Sequence, residues 1–339
     1  MKTAIVILNW NTSAYLRRWV PAILESISGM DAELIVADNA SSDDSLAVMA
    51  AEFPELRTIS LDRNYGFTGG YNRALSQIDA EYYLLMNSDI EVSGNWLEPL
   101  VSWMDSHPRC GVCAPSLHKL EDHDGTSVLT DVFEYAGAAG GYLDSFGFPY
   151  CRGRVLKRCE KDSGQYGNAS VLWVSGACFM TRRSLWEKLG GLDDRFFAHM
   201  EEIDYCWRAQ LSGFTVDAVT DSCVWHLGGG TLAQTSPFKL KLNYRNNLLM
   251  LEKNLPATLG RFRASLVIAV RRMLDLASAL VYLLQGRKDY AGAVFQAHRE
   301  VRALRVGPGP TVASAGAKVR GYGKSLIFLQ YLRNHENSH

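Results

Sequence analysis

Short apolar runs of strand length alternate with helical patterns over the first 115 residues. The predicted strands lie at 4–8, 34–37, 56–61, 82–86 and 111–114, and the predicted helices lie at 13–28, 43–53, 68–78 and 95–105. Strands that alternate with helices are typical of βαβ units. The pattern therefore predicts an α/β fold with a parallel sheet.

The pattern changes twice beyond this region. Residues 118–168 are rich in Gly, Asp, Tyr and Arg without a clear period, which indicates an inserted lobe with short strands. A strand at 170–180, helices at 183–189 and 196–212, and a strand at 214–218 are predicted next. From about residue 238 the pattern is helical, and residues 307–323 have the composition of a flexible connector.

One helix in the last hundred residues has a long apolar stripe at the 3.6-residue period. Its members are Leu266, Val270, Met273, Leu274, Ala277, Leu280, Val281 and Leu284. Arg271, Arg272 and Asp275 fall on the opposite side. Two interpretations stay open and can both hold: a helix packed on the rest of the protein or in a homodimer, or an interfacial helix on an anionic membrane surface.

Charge is divided unevenly along the 339 residues. Residues 1–237 carry 18 Lys and Arg against 31 Asp and Glu, whereas residues 238–339 carry 17 against 5. The net charges of −13 and +12 predict an anionic partner for the basic tail. No nucleic-acid partner is expected, because the tail has neither interleaved aromatic residues nor a known binding module.

Neither targeting nor cysteine chemistry stands out. Met1 leads directly into a strand-like run, and no apolar run reaches the roughly 18–20 residues that span a bilayer. The seven cysteines are scattered, and the close pair Cys110 and Cys113 lacks a second pair at zinc-site spacing. Cys178 and Cys206 resemble small core residues. These features predict a reducing, cytoplasmic location.

Polar residues follow the predicted strands, where α/β sheets bind their ligands. Residues 9–12, which include Asn11, contain no glycine, and this argues against a dinucleotide-binding turn or a P-loop. Asp38 follows the second strand. It can accept a hydrogen bond from a pyrimidine base, or it can form an Asx turn and helix cap, and the spacing favours neither.

Two further strand ends carry candidate chemistry. After the third strand, Gly66, Gly69 and Gly70 allow close backbone approach at a helix N-terminus, which can bind phosphate. After the fourth, Asn87 and Asp89 place an amide and a carboxylate beside that site. A divalent cation such as Mg²⁺ or Mn²⁺ takes oxygen ligands of this kind.

Six segments together resemble the inverting nucleotide-sugar glycosyltransferases with a GT-A fold, especially bacterial rhamnosyltransferase-like members. They read ILNWNT, VADNASSDDS, NYGFTGGYNRAL, LLMNSDIEV, WVSGACFMTRRSLWEKLGGLDDRFFAHMEEIDYCWRAQLSGF and VWHLGGGT. The resemblance covers residues 1–250 closely and the tail more loosely. It implies a mostly parallel Rossmann-like sheet flanked by helices, with a small antiparallel portion on the acceptor side and a basic helical tail.

The resemblance also implies roles for individual residues. The donor-binding positions are Asn11, Asp38, Arg63, Asn64, Gly66, Asn72 and Asn87. The metal ligands for Mg²⁺ or Mn²⁺ are Asp89 and His226. Asn87 stands where the family usually has the first Asp of its metal motif, and Gly228, Gly229 and Gly230 resemble a loop that closes over the donor.

The catalytic base is implied at Glu202, where the family usually has Asp, with Glu201 and Asp204 as alternatives. From the residues alone, this segment could equally be a solvated acidic helix start. The acceptor side is implied at Trp173, Ser175 and Gly176. Trp173 could stack on a sugar ring or lie buried in the core.

The resemblance implies a glycosyltransferase on the cytoplasmic side, and peripheral attachment at the inner face of the membrane is a further option. Residues 1–237 would form the catalytic domain, with a nucleotide-binding half at 1–115 and an acceptor-side half at 116–237, and residues 238–339 the helical tail. The partners would be a nucleotide sugar, with dTDP-L-rhamnose favoured, and a saccharide or lipid-linked saccharide. The alternatives are a sugar-nucleotide pyrophosphorylase and a non-catalytic nucleotide-sugar binder.

Overall fold

The structure, a computed structural model, describes residues 1–155, 158–228, 236–305 and 318–323. Its strands are β1 (Thr3–Asn9), β2 (Ala32–Asp38), β3 (Arg57–Ser60), β4 (Tyr82–Asn87), β5 (Ile90–Val92), β6 (Cys110–His123), β7 (Thr126–Phe133), β8 (Gly141–Leu143), β9 (Pro149–Cys151), β10 (Arg154–Val155), β11 (Arg158–Cys159), β12 (Ala169–Ser170), β13 (Cys178–Arg182) and β14 (Thr215–His226). Its helices are α1 (Ser13–Ser26), α2 (Ser45–Glu52), α3 (Gly66–Leu75), α4 (Leu97–Ser106), α5 (Arg183–Leu189), α6 (Glu201–Leu211), α7 (Pro237–Leu259), α8 (Arg261–Leu284) and α9 (Lys288–Leu304).

Ten strands form one mixed sheet with the order β12-β14-β6-β13-β4-β1-β2-β3, while β5 pairs with β14 and β7 pairs with β6. The pairs β1–β2, β1–β4, β2–β3 and β14–β6 are parallel. β13 is antiparallel to both of its neighbours, β4 and β6. The predicted α/β class with a mostly parallel sheet is therefore confirmed.

The antiparallel portion lies where the sequence has no clear period. β6 and β7 form a hairpin, and β8–β9 and β10–β11 are short antiparallel pairs beside the main sheet. β6 runs through the proposed division between residues 115 and 116. The two halves of the catalytic domain thus share a strand.

Two predicted elements differ from the structure. The run at 170–180 is not one strand, because its apolar residues 171–174 are core loop between β12 and β13. The helix predicted at 196–212 begins at Glu201, since Phe197, His199 and Met200 have positive φ angles of 65°, 69° and 73°. Left-handed backbone cannot continue a right-handed helix.

The first helix of the basic tail belongs to the body of the protein. In α7, Leu249, Met250, Leu251 and Leu255 join the same buried cluster as the sheet residues Val6, Ile35 and Leu85. Burial of these side chains removes apolar surface from water and fixes α7 on the body. Within the part of the chain that the structure describes, no helix combines the length and apolar character needed to cross a membrane.

Candidate active site

The parallel register brings three predicted polar residues to one edge of the sheet. Asn9, at the end of β1, lies opposite Asp38 at the end of β2. On its other side, Leu8 of β1 lies opposite Asn87 at the end of β4. The carboxyl ends of these strands form the crevice in which α/β proteins bind ligands.

Asp38 is buried and held from two sides. One carboxylate oxygen accepts a hydrogen bond from the Asn9 amide at 2.8 Å, and the other accepts from the Ser41 backbone N–H at 3.0 Å. The Ser41 bond is the local turn that the sequence offered as one interpretation. Recognition of a pyrimidine base by the remaining lone pairs stays a prediction.

Asn11 and Asn64 shape the loops around this edge. Asn11 has a φ of 55°, and its side-chain oxygen accepts from the Ser42 backbone N–H at 2.7 Å. Asn64 accepts from the Gly66 N–H at 2.8 Å. Arg63 is exposed, with its guanidinium 4.7 Å from the centre of the Tyr65 ring. Arg63 is therefore placed to meet a ligand, whereas both asparagines brace backbone.

Gly66 begins α3 at a crowded point. Its φ is +70°, and a Cβ atom there would lie 2.5 Å from the Phe197 ring. Glycine lets α3 start directly under the loop that precedes α6. Asn72, further along α3, donates its amide to the Leu192 carbonyl at 2.8 Å and to Asp194 at 2.6 Å. That amide is used to hold the turn after α5, and its contact with a donor stays a prediction.

β-pairing brings the two predicted metal ligands together. β5 pairs with the end of β14, so that His226 lies opposite Ile90, and the Leu227 N–H donates to the Asp89 carbonyl at 3.1 Å. His226 Nε2 is 3.2 Å from Asp89 Oδ1. The Asn87 amide nitrogen is 3.5 Å from the same ring nitrogen.

Glu134, which follows β7, is a residue that the sequence analysis did not identify. It is buried, and its Oε1 lies 3.8 Å from His226 Nδ1. His226 thus stands between two carboxylates, one at each ring nitrogen. A Glu after an irregular strand carries no recognisable motif, and only the fold brings it to His226.

The charges of this cluster compensate one another. Burial by itself would lower the pKa of His226, but the charges of Asp89 and Glu134 raise it to about 10. Burial would likewise raise the pKa of Asp89, yet His226 and the backbone N–H groups bring it below its ordinary value. Without a metal, the cluster is a buried ion pair.

The donor set fits a divalent cation that keeps most of its shell for substrate and water. Asp89 offers oxygen and His226 offers nitrogen, while Glu134 can orient the imidazole through its other nitrogen. His226 must lose its proton to act as a ligand. The described residues contain no group of three or more His, Cys, Asp or Glu arranged around a metal. Gly228 has a φ of +68°, and Gly229 and Gly230 lie outside the described residues.

The start of α6 is a second acidic cluster, held by α7. The buried Asn246 amide donates to the carbonyls of Phe196, Ala198 and His199 at 2.9, 2.7 and 2.7 Å. These bonds satisfy the left-handed loop that the sequence pattern could not predict. They also fix the direction in which α6 begins.

Glu202 has the features of a general base. It is half-buried, and its Oε2 is shielded from solvent without a hydrogen-bond partner among the described residues. Burial raises its pKa to about 7, against the opposing effect of backbone N–H groups at the helix N-terminus. A base works best with a pKa near the operating pH.

The two alternatives for the base differ from Glu202. Glu201 is almost fully buried, and burial together with the charge of Glu202 raises its pKa well above the ordinary value. Asp204 has no exposed surface and accepts from Arg208 at 2.7 Å, Lys253 at 2.9 Å and Asn254 at 2.8 Å. Its carboxylate is fully engaged, which argues against Asp204 as the base.

The loop before β13 joins the two acidic clusters. The Asn87 N–H donates to the Ala177 carbonyl at 2.8 Å. At the adjacent Gly176, a Cβ atom would lie 3.5 Å from the Cβ of Glu202 and 3.7 Å from the Phe67 ring. One short segment therefore touches both the end of β4 and the candidate base.

The other two residues predicted for the acceptor side, Trp173 and Ser175, are buried in the protein. Trp173 is 3% exposed, and its indole N–H donates to the Tyr142 carbonyl at 3.0 Å. It packs against Gly141, where a Cβ atom would come within 2.2 Å of the indole. The structure therefore favours a buried tryptophan over a sugar-stacking one. Ser175 is also buried, and its hydroxyl accepts from the Ala177 N–H at 3.3 Å.

Known proteins share this sequence pattern. The sequence profile of Glycosyl transferase family 2 matches residues 4–190. The N-acetylglucosaminyl-diphospho-decaprenol L-rhamnosyltransferase of Mycobacterium tuberculosis is 23% identical over 289 residues, which are 82% of this chain and 92% of that protein. Rhamnosyltransferase WbbL of Escherichia coli strain K12 is 24% identical over 220 residues, which are 62% of this chain and 77% of that protein.

Solved structures share the fold. GalNAc-T7 with UDP, GalNAc and Mn²⁺ matches with a TM-score of 0.59 and 17% identity, over 75% of this chain and 48% of that one. The mannosyltransferase PcManGT of Pyrobaculum calidifontis, in complex with GDP-Man and Mn²⁺, matches with a TM-score of 0.54 and 14% identity, over 100% and 88%. These identities support the fold alone, and the predicted GT-A fold is confirmed.

The sheet order, the acidic residues at its carboxyl edge and the matched profile all point the same way. The profile spans more than half of the 339 residues. The chain belongs to glycosyl transferase family 2 and is a glycosyltransferase.

Proposed function

We propose that this enzyme is a metal-dependent, inverting glycosyltransferase. It would move a sugar from a nucleotide-sugar donor, with dTDP-L-rhamnose favoured, to a hydroxyl group of a saccharide or lipid-linked saccharide. The favoured sugar rests on the names of the relatives in Mycobacterium tuberculosis and Escherichia coli, both rhamnosyltransferases. The product would enter cell-surface polysaccharide assembly.

The observation that carries the proposal is the single loop that contacts both Glu202 and the end of β4, two residues before Asp89. Gly176 adjoins Glu202, and the next residue, Ala177, is bonded to Asn87 at the end of β4. A base on one side of a crevice and a diphosphate site on the other is the arrangement needed for attack from the face opposite the leaving group. That attack inverts the anomeric carbon.

In the proposed reaction, ionised Glu202 takes the proton from the attacking acceptor hydroxyl. With a pKa of about 7, about half of this carboxyl group is ionised at neutral pH, and it is basic enough to accept that proton. Glu201 stays neutral beside it, which keeps a second negative charge away from the donor diphosphate. A bound Mg²⁺ or Mn²⁺, held by Asp89 and His226, would supply Lewis-acid stabilisation of the leaving diphosphate.

The remaining strand-end residues would bind the donor. Asp38 would accept from the base, and exposed Arg63 would pair with the diphosphate. Asn87 reaches toward His226 from the end of β4 and would meet ribose or water beside the metal. The glycine-rich start of α3 would line the diphosphate site, although the Gly66, Phe67 and Thr68 N–H groups are already bonded to Asn64 and to the Phe197 carbonyl.

The test is a donor screen followed by transfer. The protein is melted with dTDP-L-rhamnose, other dTDP-sugars, UDP-sugars and GDP-mannose, each with Mn²⁺, Mg²⁺ or a chelator, because a bound ligand raises the Tm by mass action. The stabilising donor is then used for transfer to a lipid-linked saccharide, with NMR of the product's anomeric configuration. We expect inversion, a loss of transfer with chelator, and no transfer by the folded variants E202A and D89A. Wild-type rates in both variants, or retained configuration, would contradict the proposal.

A further inference from the structure

Helix α8 is turned the opposite way from an ordinary surface helix. Its charged residues Arg271 and Asp275 are buried, at 5% and 1% exposure. Its apolar stripe faces outward, where Phe262, Leu284 and Met273 are 78%, 80% and 61% exposed. The exposed stripe is therefore not the side by which α8 packs on the rest of the protein, and the homodimer and membrane interpretations of the stripe stay open.

Buried charge pairing fixes this orientation. Arg271 Nε donates to Asp275 Oδ1 at 2.8 Å, and the Arg271 guanidinium lies 3.9 Å from the centre of the Phe148 ring. His298 of α9 lies 3.3 Å from the second oxygen of Asp275. Rolling the stripe inward would expose the helix's buried face and separate these buried partners, which is costly. The outward stripe is thus a property of the fold.

The stripe is long and continuous. It runs over the 24 residues of α8, about 36 Å at 1.5 Å per residue. Its most exposed line of side chains is Phe262, Leu266, Met273, Leu276, Leu280 and Leu284, which adds Phe262 and Leu276 to the predicted stripe. Ten of the eighteen large apolar side chains that the described chain exposes most lie between residues 261 and 305. A patch of this size marks an interaction surface.

Exposed cations lie near both ends of α8 and along α9. Six exposed basic side chains make no ion pair with any described residue: Arg261, Arg263, Arg287, Lys288, Arg299 and Arg302. Lys288, Arg299 and Arg302 lie with exposed Phe295 on the outer face of α9. Asp289 is the one exposed acidic residue among residues 261–305, all of which are described. The surface is apolar along one helix and positive along the next.

We propose that the outer faces of α8 and α9 form a docking surface for a membrane that contains anionic phospholipid. Apolar side chains would enter the acyl boundary, and the cations would meet the headgroups. A second copy fits less well, because a two-fold interface would bring the two sets of cations face to face without matching acids. Docking deepens the proposed function, because it would hold the enzyme beside a lipid-linked acceptor.

A cleft of about 710 Å³ between the start of α7 and α9 adds to this surface. Phe238 and Phe295 line it, together with Lys241 and Arg299. Lys241 is paired with Glu300 at 2.9 Å, which leaves Arg299 to meet an incoming phosphate. Asp289 lines the same cleft, so the cleft offers a lipid headgroup a concave place beside Arg299 but no net positive charge of its own.

The first test is sedimentation of the full chain with vesicles of phosphatidylcholine, with and without phosphatidylglycerol. We expect binding to the anionic vesicles, weakened by salt. The double variant L276Q/L280Q should bind at least about tenfold more weakly, since two apolar anchors are lost. The matched control L46Q/L129Q changes two exposed leucines on α2 and β7, and should bind as the wild type does.

The second test reverses charge. R299E/R302E should also bind the anionic vesicles at least about tenfold more weakly, because each basic residue near an anionic surface contributes to attraction. Equal binding to both vesicle types, or equal binding by L276Q/L280Q and its control, would overturn the proposal. So would a concentration-dependent dimer in light scattering that L276Q/L280Q abolishes, in a protein that ignores vesicles.

Failure of docking and failure of the proposed activity can be told apart. All these variants lie outside the crevice, so each should keep the wild-type Tm and the Tm increase given by the stabilising nucleotide sugar. A protein that binds nucleotide sugar but no vesicle overturns docking alone. A protein that binds vesicles but transfers no sugar overturns the proposed function alone.

Discussion

Two acidic clusters, both in contact with the loop before β13, shift the pKa values of their carboxyl groups in opposite directions. At the end of β4, Asp89 has His226 within 3.2 Å, and the pKa of Asp89 falls below its ordinary value. At the start of α6, Glu202 has no cationic partner among the described residues, and its pKa rises to about 7. Burial is similar in both places, so the partner decides the direction.

This contrast suits the two proposed roles, a metal ligand that stays ionised at Asp89 and a general base that gains and loses a proton at Glu202. Asp89 stays ionised over the physiological range, as a metal ligand must. Glu202 exchanges its proton near neutrality, as a general base must. Asp204, two residues beyond Glu202, repeats the first behaviour, because Arg208 and Lys253 keep the pKa of this buried carboxyl low. Neighbours in sequence thus have different chemistry.

The largest effect is expected from E202Q, which removes the proposed base. The variant keeps the side-chain shape but cannot accept a proton, so we expect kcat to fall by about 10²–10⁴-fold with donor binding unchanged. E201Q is the matched control, because Glu201 is already neutral and the amide imitates it. Steady-state kinetics and donor-dependent Tm would be measured for both. If E202Q were active and E201Q inactive, the base would be Glu201 and not Glu202.

The second variant, D204N, addresses stability. It leaves Arg208 and Lys253 buried beside a neutral amide, so the free energy of unfolding should fall by about 3–5 kcal/mol. Urea denaturation measures this. E52Q, which weakens the exposed pair with Arg17, is the control and should change stability by about 1 kcal/mol or less. A D204N protein as stable as E52Q would show that the buried pairs contribute little.

A third variant, E134Q, tests whether Glu134 supports metal binding at the proposed Asp89–His226 site. It removes the charge that faces Nδ1 of His226 without touching a direct ligand. We expect the Kd for Mn²⁺ to rise by about 10–100-fold, as for other partners of ligating histidines. Calorimetric titration measures this, with E121Q as control, because Glu121 pairs with Lys119 and His123 instead. Equal Kd values for Mn²⁺ in the two variants would show that Glu134 does not support metal binding.

The smallest effect is a dependence on pH. Below about pH 7, Glu202 carries a proton, so kcat/KM should rise by about tenfold per pH unit and then level off. The same ionisation affects stability. The folded pKa lies above the ordinary 4.5, so the stabilising contribution is complete below that value and is lost as pH rises through 7. E202Q should lack both trends, which rate profiles and denaturation at several pH values would reveal.

Local patterns predicted the first four strands and their helices well, because apolar periodicity and strand-end polar residues depend on nearby sequence. Asp89 was predicted from its place after the fourth strand and His226 from the resemblance, and the pairing of β5 with β14 brings them together. Glu134 was missed, since no motif surrounds it. The left-handed loop before α6 was missed because Asn246, about 47 residues later, supplies its hydrogen bonds.

The orientation of α8 was also beyond local patterns. Its stripe has the period of a helix that buries its apolar side, and the usual reading places charged residues in water. Here Arg271 and Asp275 pair between packed helices, with His298 3.3 Å from the second Asp275 oxygen, so the charged side can be the buried one. Only tertiary contacts reveal such pairing.

Side chains of helix α7 bind the start of α6 at two points. Asn246 holds the loop before it, and Lys253 and Asn254 hold Asp204 within its first turn. A fragment cut at residue 237 would keep the matched family profile and every predicted site residue, yet lose all three of these contacts. We therefore expect that an active fragment must extend at least through residue 254, because α7 holds the start of the helix that carries Glu202.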